Sequence, residues 1–317
     1  MTERDGLSGN ERVTPYAGVV LGVCAMSSAA ILIRMAQADA HSLVIAAWRL
    51  ILATAVLALP AFLTRRRELI ALTRADWLTL LASGALLAIH FGTWITSLSY
   101  TSVAASVVLV STNPIFVALA SHLLLHEHLS RGIVVGMALA FIGSVVIIGA
   151  GDMNHSSHHR LLGDVLALIG GVTAAGYVLL GRRMRARLSL LAYVFPVYGT
   201  AAVLLLASTL VAGLDPLPQQ PRTWSWLWLI ALGPQLLGHS SINWALRYLS
   251  AAYVTIAVLA EPVGSILLAW WLLNEPPVGL TLIGGPLILI GIALATWSER
   301  PGAQAHRRHA TDTSHQR

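Results

Sequence analysis

The stretch Leu259-Ala-Glu-Pro-Val-Gly-Ser-Ile-Leu-Leu268 sets a carboxylate and a proline, Glu261 and Pro262, in the middle of an apolar run. Proline has no N–H and its ring collides with the carbonyl four residues back, so a helix through this stretch must break and leave the carbonyl of Val258 unpaired. The same device stands 148 residues earlier, where Asn113-Pro114 interrupts another apolar run and frees the carbonyl of Val110. Outward from these points the two segments keep matching at the same offset. Tyr100 meets Tyr248, Ser102 meets Ser250, Ala104 meets Ala252 and Leu124-Leu125 meets Leu272-Leu273. Glu127 meets Glu275, Gly136 meets Gly284, Leu139 meets Leu287, Ile142 meets Ile290 and Gly143 meets Gly291. Nearer the N-terminal ends the match weakens and drifts, although Arg34 still meets Arg182.

Composition fixes what kind of chain carries this repeat. Of 317 residues, 56% are hydrophobic and 11% charged, against about 25% charged in a soluble domain. Runs of about 20 apolar residues recur, each long enough to cross a ~30 Å hydrocarbon core as a helix. Ten spans are expected, at about 16–36, 43–63, 77–98, 103–125, 131–150, 162–182, 190–212, 225–247, 252–273 and 278–298. The expected organisation is a polar tail over 1–15, a first five-helix repeat over 16–151, a second over 160–298, and a polar tail over 299–317. A repeat with an odd number of spans enters the membrane from opposite sides in its two copies. The expected fold is therefore an all-α polytopic membrane protein, with ten transmembrane helices as two inverted five-helix repeats around a central cavity.

All 20 basic residues are arginine, and they cluster in pairs and triplets between apolar runs, which speaks for membrane topology and against nucleic acid. With the N-terminus inside, 16 arginines fall in cytoplasmic segments and 3 in external loops. The expected location is the inner membrane, multi-pass, with both termini cytoplasmic. A cleavable leader is weighed against this, because Ala36-Gln-Ala-Asp-Ala40 resembles a cleavage site, but the leading tail carries Glu3, Asp5 and Glu11 against Arg4 and Arg12. Cys24 is the single cysteine and reads as a small core residue, with no disulfide possible within one chain.

The run Asn113-Pro-Ile-Phe-Val through Leu125-His-Glu127-His-Leu resembles the fourth helix of EamA-type proteins of the drug/metabolite transporter superfamily. Glu261-Pro-Val-Gly-Ser through Leu273-Asn-Glu275 resembles the ninth, and Trp48-Arg49-Leu50 resembles a segment of the second that commonly holds an arginine. The resemblance covers roughly residues 16–298. His126 and Asn274 stand where the family usually has glycine before the helix-end glutamate. The resemblance implies ten helices around a cavity, and alternating access for small metabolites.

Glu261, about the eleventh residue of its span, lies ~15 Å deep, and Asn113 takes the matching depth in the other repeat. A charged carboxylate there costs about 2.5–3.5 kcal/mol on insertion scales, so it should face a cavity or a partner. His90, Trp94 and Ser97 form one helical face in the third span, and Gln235, His239, Asn243 and Arg247 follow at i+4 steps in the eighth. Such a set suits a zwitterion or planar polar solute. Each member could instead hold two helices together. Arg49, ~10 Å below the external surface, could meet a substrate carboxylate, meet Glu261 or snorkel outward. Arg247 reads as an interfacial anchor. The expected substrate-binding set is thus Glu261, Asn113, His90, Trp94, His239, Asn243 and Arg49, with Pro114 and Pro262 as helix breaks. Glu127 and Glu275 are expected as gate or helix-end groups, and Gly18-x-x-x-Gly22 and Gly132-x-x-x-Gly136 as close helix packing. The loop His155-Ser-Ser-His158-His159 lacks a carboxylate within its cluster and reads as solvated rather than metal-binding.

The function these features point to is a secondary carrier of a small polar metabolite, an amino acid or related compound, with export favoured and protons as a candidate coupling ion through Glu261. No cofactor and no catalytic residue is expected, since neither a nucleophile with its base nor a metal set stands out. The readings kept beside it are an intramembrane enzyme using Glu261 with His90 or His239 as acid and base, and a passive channel.

Overall fold

The computed structural model describes residues 9–101, 106, 109–124, 130–148, 157–273 and 279–299, and every structural statement below concerns these residues. Their regular structure is entirely helical. The first span is two helices, Gly9–Met26 and Ala29–Gln37, and the second and third are Ser42–Ile70 and Arg74–Ser97. Asn113–Leu124 is the second half of the fourth, and Arg131–Ile148 is the fifth. Ser157–Arg185 and Leu190–Val211 are the sixth and seventh. The eighth runs through Pro221–Ile230, Ala231–His239 and Ser240–Ala245; Ala251–Val258 and Glu261–Leu273 make the ninth, and Thr281–Glu299 the tenth. Five stretches are each long and apolar enough to cross a membrane alone: Thr14–Gln37, Ser42–Ile70, Arg74–Ser97, Arg160–Arg185 and Leu190–Val211.

Local chemistry sets the ends of these helices. His41 and Ser189, 148 residues apart, open the second and seventh spans by accepting the backbone N–H of Leu43 and Ala192. Thr73 and Asp76 form a reciprocal capping box at the start of the third span. The second and sixth helices have 29 residues each, or ~44 Å at 1.5 Å per residue. They are longer than a ~30 Å core requires, and arginines stand toward the end of each, Arg65 to Arg67 in the one and Arg182, Arg183 and Arg185 in the other.

The way the spans pack shows the relation between the repeats. Exchange of the copies maps the first span onto the sixth, the second onto the seventh, and so on. The fifth packs on the tenth, the second on the seventh and the fourth on the ninth, each pair mapping onto itself. The third packs on the sixth while the first packs on the eighth, and those two pairs exchange. A set of neighbours closed under the exchange is what a twofold axis lying in the membrane plane requires.

Where the fifth and tenth spans cross, glycine lets backbones touch. A Cβ on Gly136 would stand 2.4 Å from the carbonyl oxygen of Gly291, and one on Gly143 would stand 2.6 Å from that of Gly284. These four glycines are the ones aligned by the 148-residue offset. Gly18 and Gly22 of the first span instead make room for the side chains of Trp244 and Ile242 of the eighth. Cys24, expected in the core, is exposed instead. A helix apolar all round carries no period to say which face meets lipid, and lipid is as apolar as the core.

Candidate substrate cavity

The helix breaks fall where the prolines put them. The fourth span is interrupted at Ser111–Thr112 and restarts at Asn113; the ninth is interrupted at Leu259–Ala260 and restarts at Glu261. Proline suits this place, since its missing N–H would have no partner in the first turn anyway. The Thr112 hydroxyl donates to the carbonyl of Leu109 at 2.7 Å, securing the end of the preceding turn.

Between the two breaks lies a cavity of about 80 Å³. Its lining comes from both repeats and pairs off at the 148-residue offset: Met26 with Ala174, Ala29 with Tyr177, Trp94 with Ile242, Val110 with Val258, Ser111 with Leu259, and Asn113 with Glu261. The cavity therefore sits on the pseudo-twofold axis. Six of the seven residues expected to bind substrate line it: Glu261, Asn113, His90, Trp94, His239 and Arg49. Asn243 stands behind the wall. Its amide nitrogen donates to the Tyr177 hydroxyl at 2.5 Å and to the carbonyl of His239 at 2.8 Å. Glu127 and Glu275 lie outside the described residues, as does His155, and the side chains of His158 and His159 are likewise not among those described. Ser97 is buried against Ser106 at 2.6 Å, and Arg247 is exposed.

Arg49 does not snorkel. Its side chain is fully buried, its Nε donates to Gln235 Oε1 at 2.6 Å, and its guanidinium carbon lies 4.0 Å from the centre of the Phe91 ring. Nη1 and Nη2 have no partner among the described residues. Among the described residues no close ion pair joins Arg49 to Glu261, although both line the same cavity and their charges interact at longer range. His90 places Nδ1 2.9 Å from the carbonyl of Gly170; a carbonyl only accepts, so that nitrogen carries the proton and Nε2 is left as an acceptor. The His90 and Trp94 rings are stacked at 5.9 Å, and the Trp94 indole N–H is buried without a partner.

The sequence marks Gln235 only as one of a polar row, and nothing in it marks Tyr177. Gln235 sits in the Ala231–His239 segment, where i→i+5 hydrogen bonding replaces the α pattern around Pro234. Such π segments recur at functional sites. A proline inside an apolar run was the available signal, but Pro60, Pro196 and Pro286 sit inside unbroken helices, so proline alone does not single out this segment.

The two membrane faces, one holding His41 and the other Ser189, carry matched polar contacts, termed latches. On the His41 face Gln37 Nε2 donates to the carbonyl of Ile95 at 3.0 Å. On the Ser189 face Arg185 Nε donates to the carbonyl of Asn243 at 3.0 Å. Gln37 and Arg185 are 148 residues apart, and so are Ile95 and Asn243. Next to each stands an ion pair. Arg222 holds Asp39 through two bonds of 2.7 Å, and Arg187 reaches Asp76 at 2.5 Å. Asp39 and Arg187 are again repeat equivalents, with the signs of the pair reversed. The hydrogen bond from Arg222 holds the Asp39 carboxyl below its ordinary value.

The EamA-like transporter family matches residues 14–149 and again 161–297. The chain belongs to the EamA-like transporter family. Among curated relatives of this EamA-like protein is the pseudopaline exporter CntI of Pseudomonas aeruginosa, 27% identical over 281 residues, covering 88% of this chain and 96% of that one. An uncharacterized transporter of Archaeoglobus fulgidus is 28% identical over 204 residues, 63% of this chain and 69% of its own length. A solved crystal structure overlays with a TM-score of 0.74 at 20% identity, covering 90% of this chain and 98% of the other, which is a likeness of fold. The EamA-like chain is thus a multi-pass membrane transporter, with a small-molecule substrate and lipid around it.

Proposed function

We propose that this transporter is a secondary carrier that moves a small polar metabolite, an amino acid or related compound, out across the inner membrane by alternating access. The observation that carries the reading is the matched pair of latches, one at each face, with a mostly apolar cavity holding a few polar groups between them on the pseudo-twofold axis. Opening either latch alone would admit solute from one side, and exchange of the two conformations between repeats gives the opposite opening. The arginine distribution supports placing the Ser189 face and both termini in the cytoplasm. Glu261, Asn113, His90, Trp94, His239 and Arg49 form the binding wall, and Asn243 braces it through Tyr177. Export is favoured because the relative CntI, matched over nearly its whole length, is an exporter.

The test uses purified full-length protein in sealed proteoliposomes loaded with an unlabelled amino-acid mixture. Labelled solute outside should accumulate transiently by counterflow, and should be recovered unaltered. Folded Asn113→Ala and Glu261→Ala proteins should lose that accumulation. Flux that does not saturate and shows no counterflow would make the protein a channel, and chemically altered solute would make it an enzyme.

A further inference from the structure

We infer that the cavity contains a built seat for a single carboxylate, formed by the free edge of Arg49 with the Trp94 indole N–H, and that Gln235 is the positioning residue that keeps the seat charged. The inference rests on the reading of the cavity as the solute site, and it names the chemistry of the solute. Arg49 is fully buried, yet only its Nε is bonded; Nη1, Nη2 and Trp94 Nε1 are buried donors without a partner. Each such orphan is costly when nothing fills it, so three beside one cavity mark a place where an acceptor binds. Two adjacent guanidinium nitrogens form the fork that matches the two oxygens of a carboxylate.

Gln235 decides that the fork is available. Its Oε1 accepts the Arg49 Nε–H at 2.6 Å, which fixes the rotation of the guanidinium while Phe91 covers the ring-facing side. As a neutral acceptor it leaves the full positive charge in place; a glutamate there would spend it on an internal ion pair. Gln235 is itself fully buried, in the π segment of the eighth span, 186 residues from its partner. Among the described residues Arg49 is the one arginine lining the cavity, so the seat suits a monoanionic carboxylate better than a phosphate dianion. Glu261, which lines the same cavity without a close ion pair to Arg49, is the complementary place for an ammonium group, and the two together define a solute with one carboxylate and one cationic nitrogen.

The experiment titrates purified full-length protein with acetate and with acetamide, its uncharged counterpart of the same shape, and follows the Tm. Acetate should stabilise the wild type and acetamide should be at least about tenfold weaker. Gln235→Glu should abolish the acetate response by neutralising Arg49, Gln235→Asn should retain part of it, and Arg49→Gln should lose it. Equal responses to acetate and acetamide, no response to either, or an acetate response that survives Arg49→Gln or Gln235→Glu would overturn the seat. Counterflow that is indifferent to Gln235→Glu would keep the carrier and remove the seat. Acetate discrimination without any solute movement would do the reverse.

Discussion

Arg185→Gln makes the two latches chemically alike, because Gln37 already stands at the equivalent position of the other repeat. Arg185 is 1% exposed and donates to the carbonyls of Asn243 and Leu188, so its bonds are charge-assisted and shielded from water. Hydrogen bonds to charged groups contribute about 1.5–3 kcal/mol and neutral ones about 0.5–1.5. Replacement should therefore weaken closure of the Ser189 face by about 1–1.5 kcal/mol, a shift of about 5- to 12-fold in the balance between the two openings. The neighbouring pair contributes less. The Arg187 side chain is 60% exposed, and Arg187→Gln should shift the balance much less than Arg185→Gln, because solvent screens an exposed ion pair. Asp76→Asn is a poorer probe, since Asp76 also accepts from the Thr73 backbone and hydroxyl.

The assay places one cysteine at Ser111, which lines the cavity, in a Cys24→Ser background. N-ethylmaleimide labelling is then timed from each side of oriented vesicles. Arg185→Gln should speed labelling from the Ser189 face by the factor above and slow it from the His41 face. Equal acceleration from both faces would mean that the substitution merely loosens the protein. Unchanged rates would mean that Arg185 is no latch.

Gly136→Ala should lower stability by about 1–3 kcal/mol, the usual cost of overpacking, because its Cβ would stand 2.4 Å from the Gly291 carbonyl. Gly285→Ala, with nothing within 4 Å, should leave the Tm near wild type, and comparison of the two melts checks the packing of the fifth on the tenth span. If Glu261 carries the coupling proton, folded Glu261→Gln should exchange solute with a pH dependence flatter than wild type, and an unchanged pH profile of uptake would dismiss that role. The Asp39–Arg222 bond, with the Asp39 carboxyl held low, should be fully present above an ordinary aspartate value of about 3.9 and weaken only as pH falls through the depressed one. Labelling from the His41 face should rise below that pH in the wild type, whereas Arg222→Gln should already label faster at neutral pH.

The architecture was legible because inverted repetition leaves a fixed offset, and because Pro114 and Pro262 announce their breaks through a missing donor. The break in the first span at Ser27–Ser28 was not. There the two hydroxyls bond back to the carbonyls of Val23 and Ala25, a competition with the helix that serines make in many places without breaking it. The Arg49–Gln235 bond joins residues 186 apart with no repeat partner to flag it. The latches hid for a different reason. Asp39 against Arg187 looks like a mismatch when the copies are aligned, and only the packed structure shows each pairing with an opposite charge on its own face.

The unequal latches bear on affinity rather than on direction, since gradients drive a carrier and the empty protein only sets how often each side is offered the site. Bond for bond, the charged, buried Arg185 should hold the Ser189 face shut more firmly than neutral Gln37 holds the other. The apparent affinity on a given side is reduced by the fraction of molecules open there. With the Ser189 face cytoplasmic, as proposed, solute inside the cell meets the weaker apparent site and loads chiefly when it has accumulated. The bonds proposed between the solute and Arg49 and Glu261 must then compensate for opening the stronger latch. An exporter that relieves excess without draining the working pool needs that ordering, and Arg185→Gln should lower the internal concentration at which it half-loads.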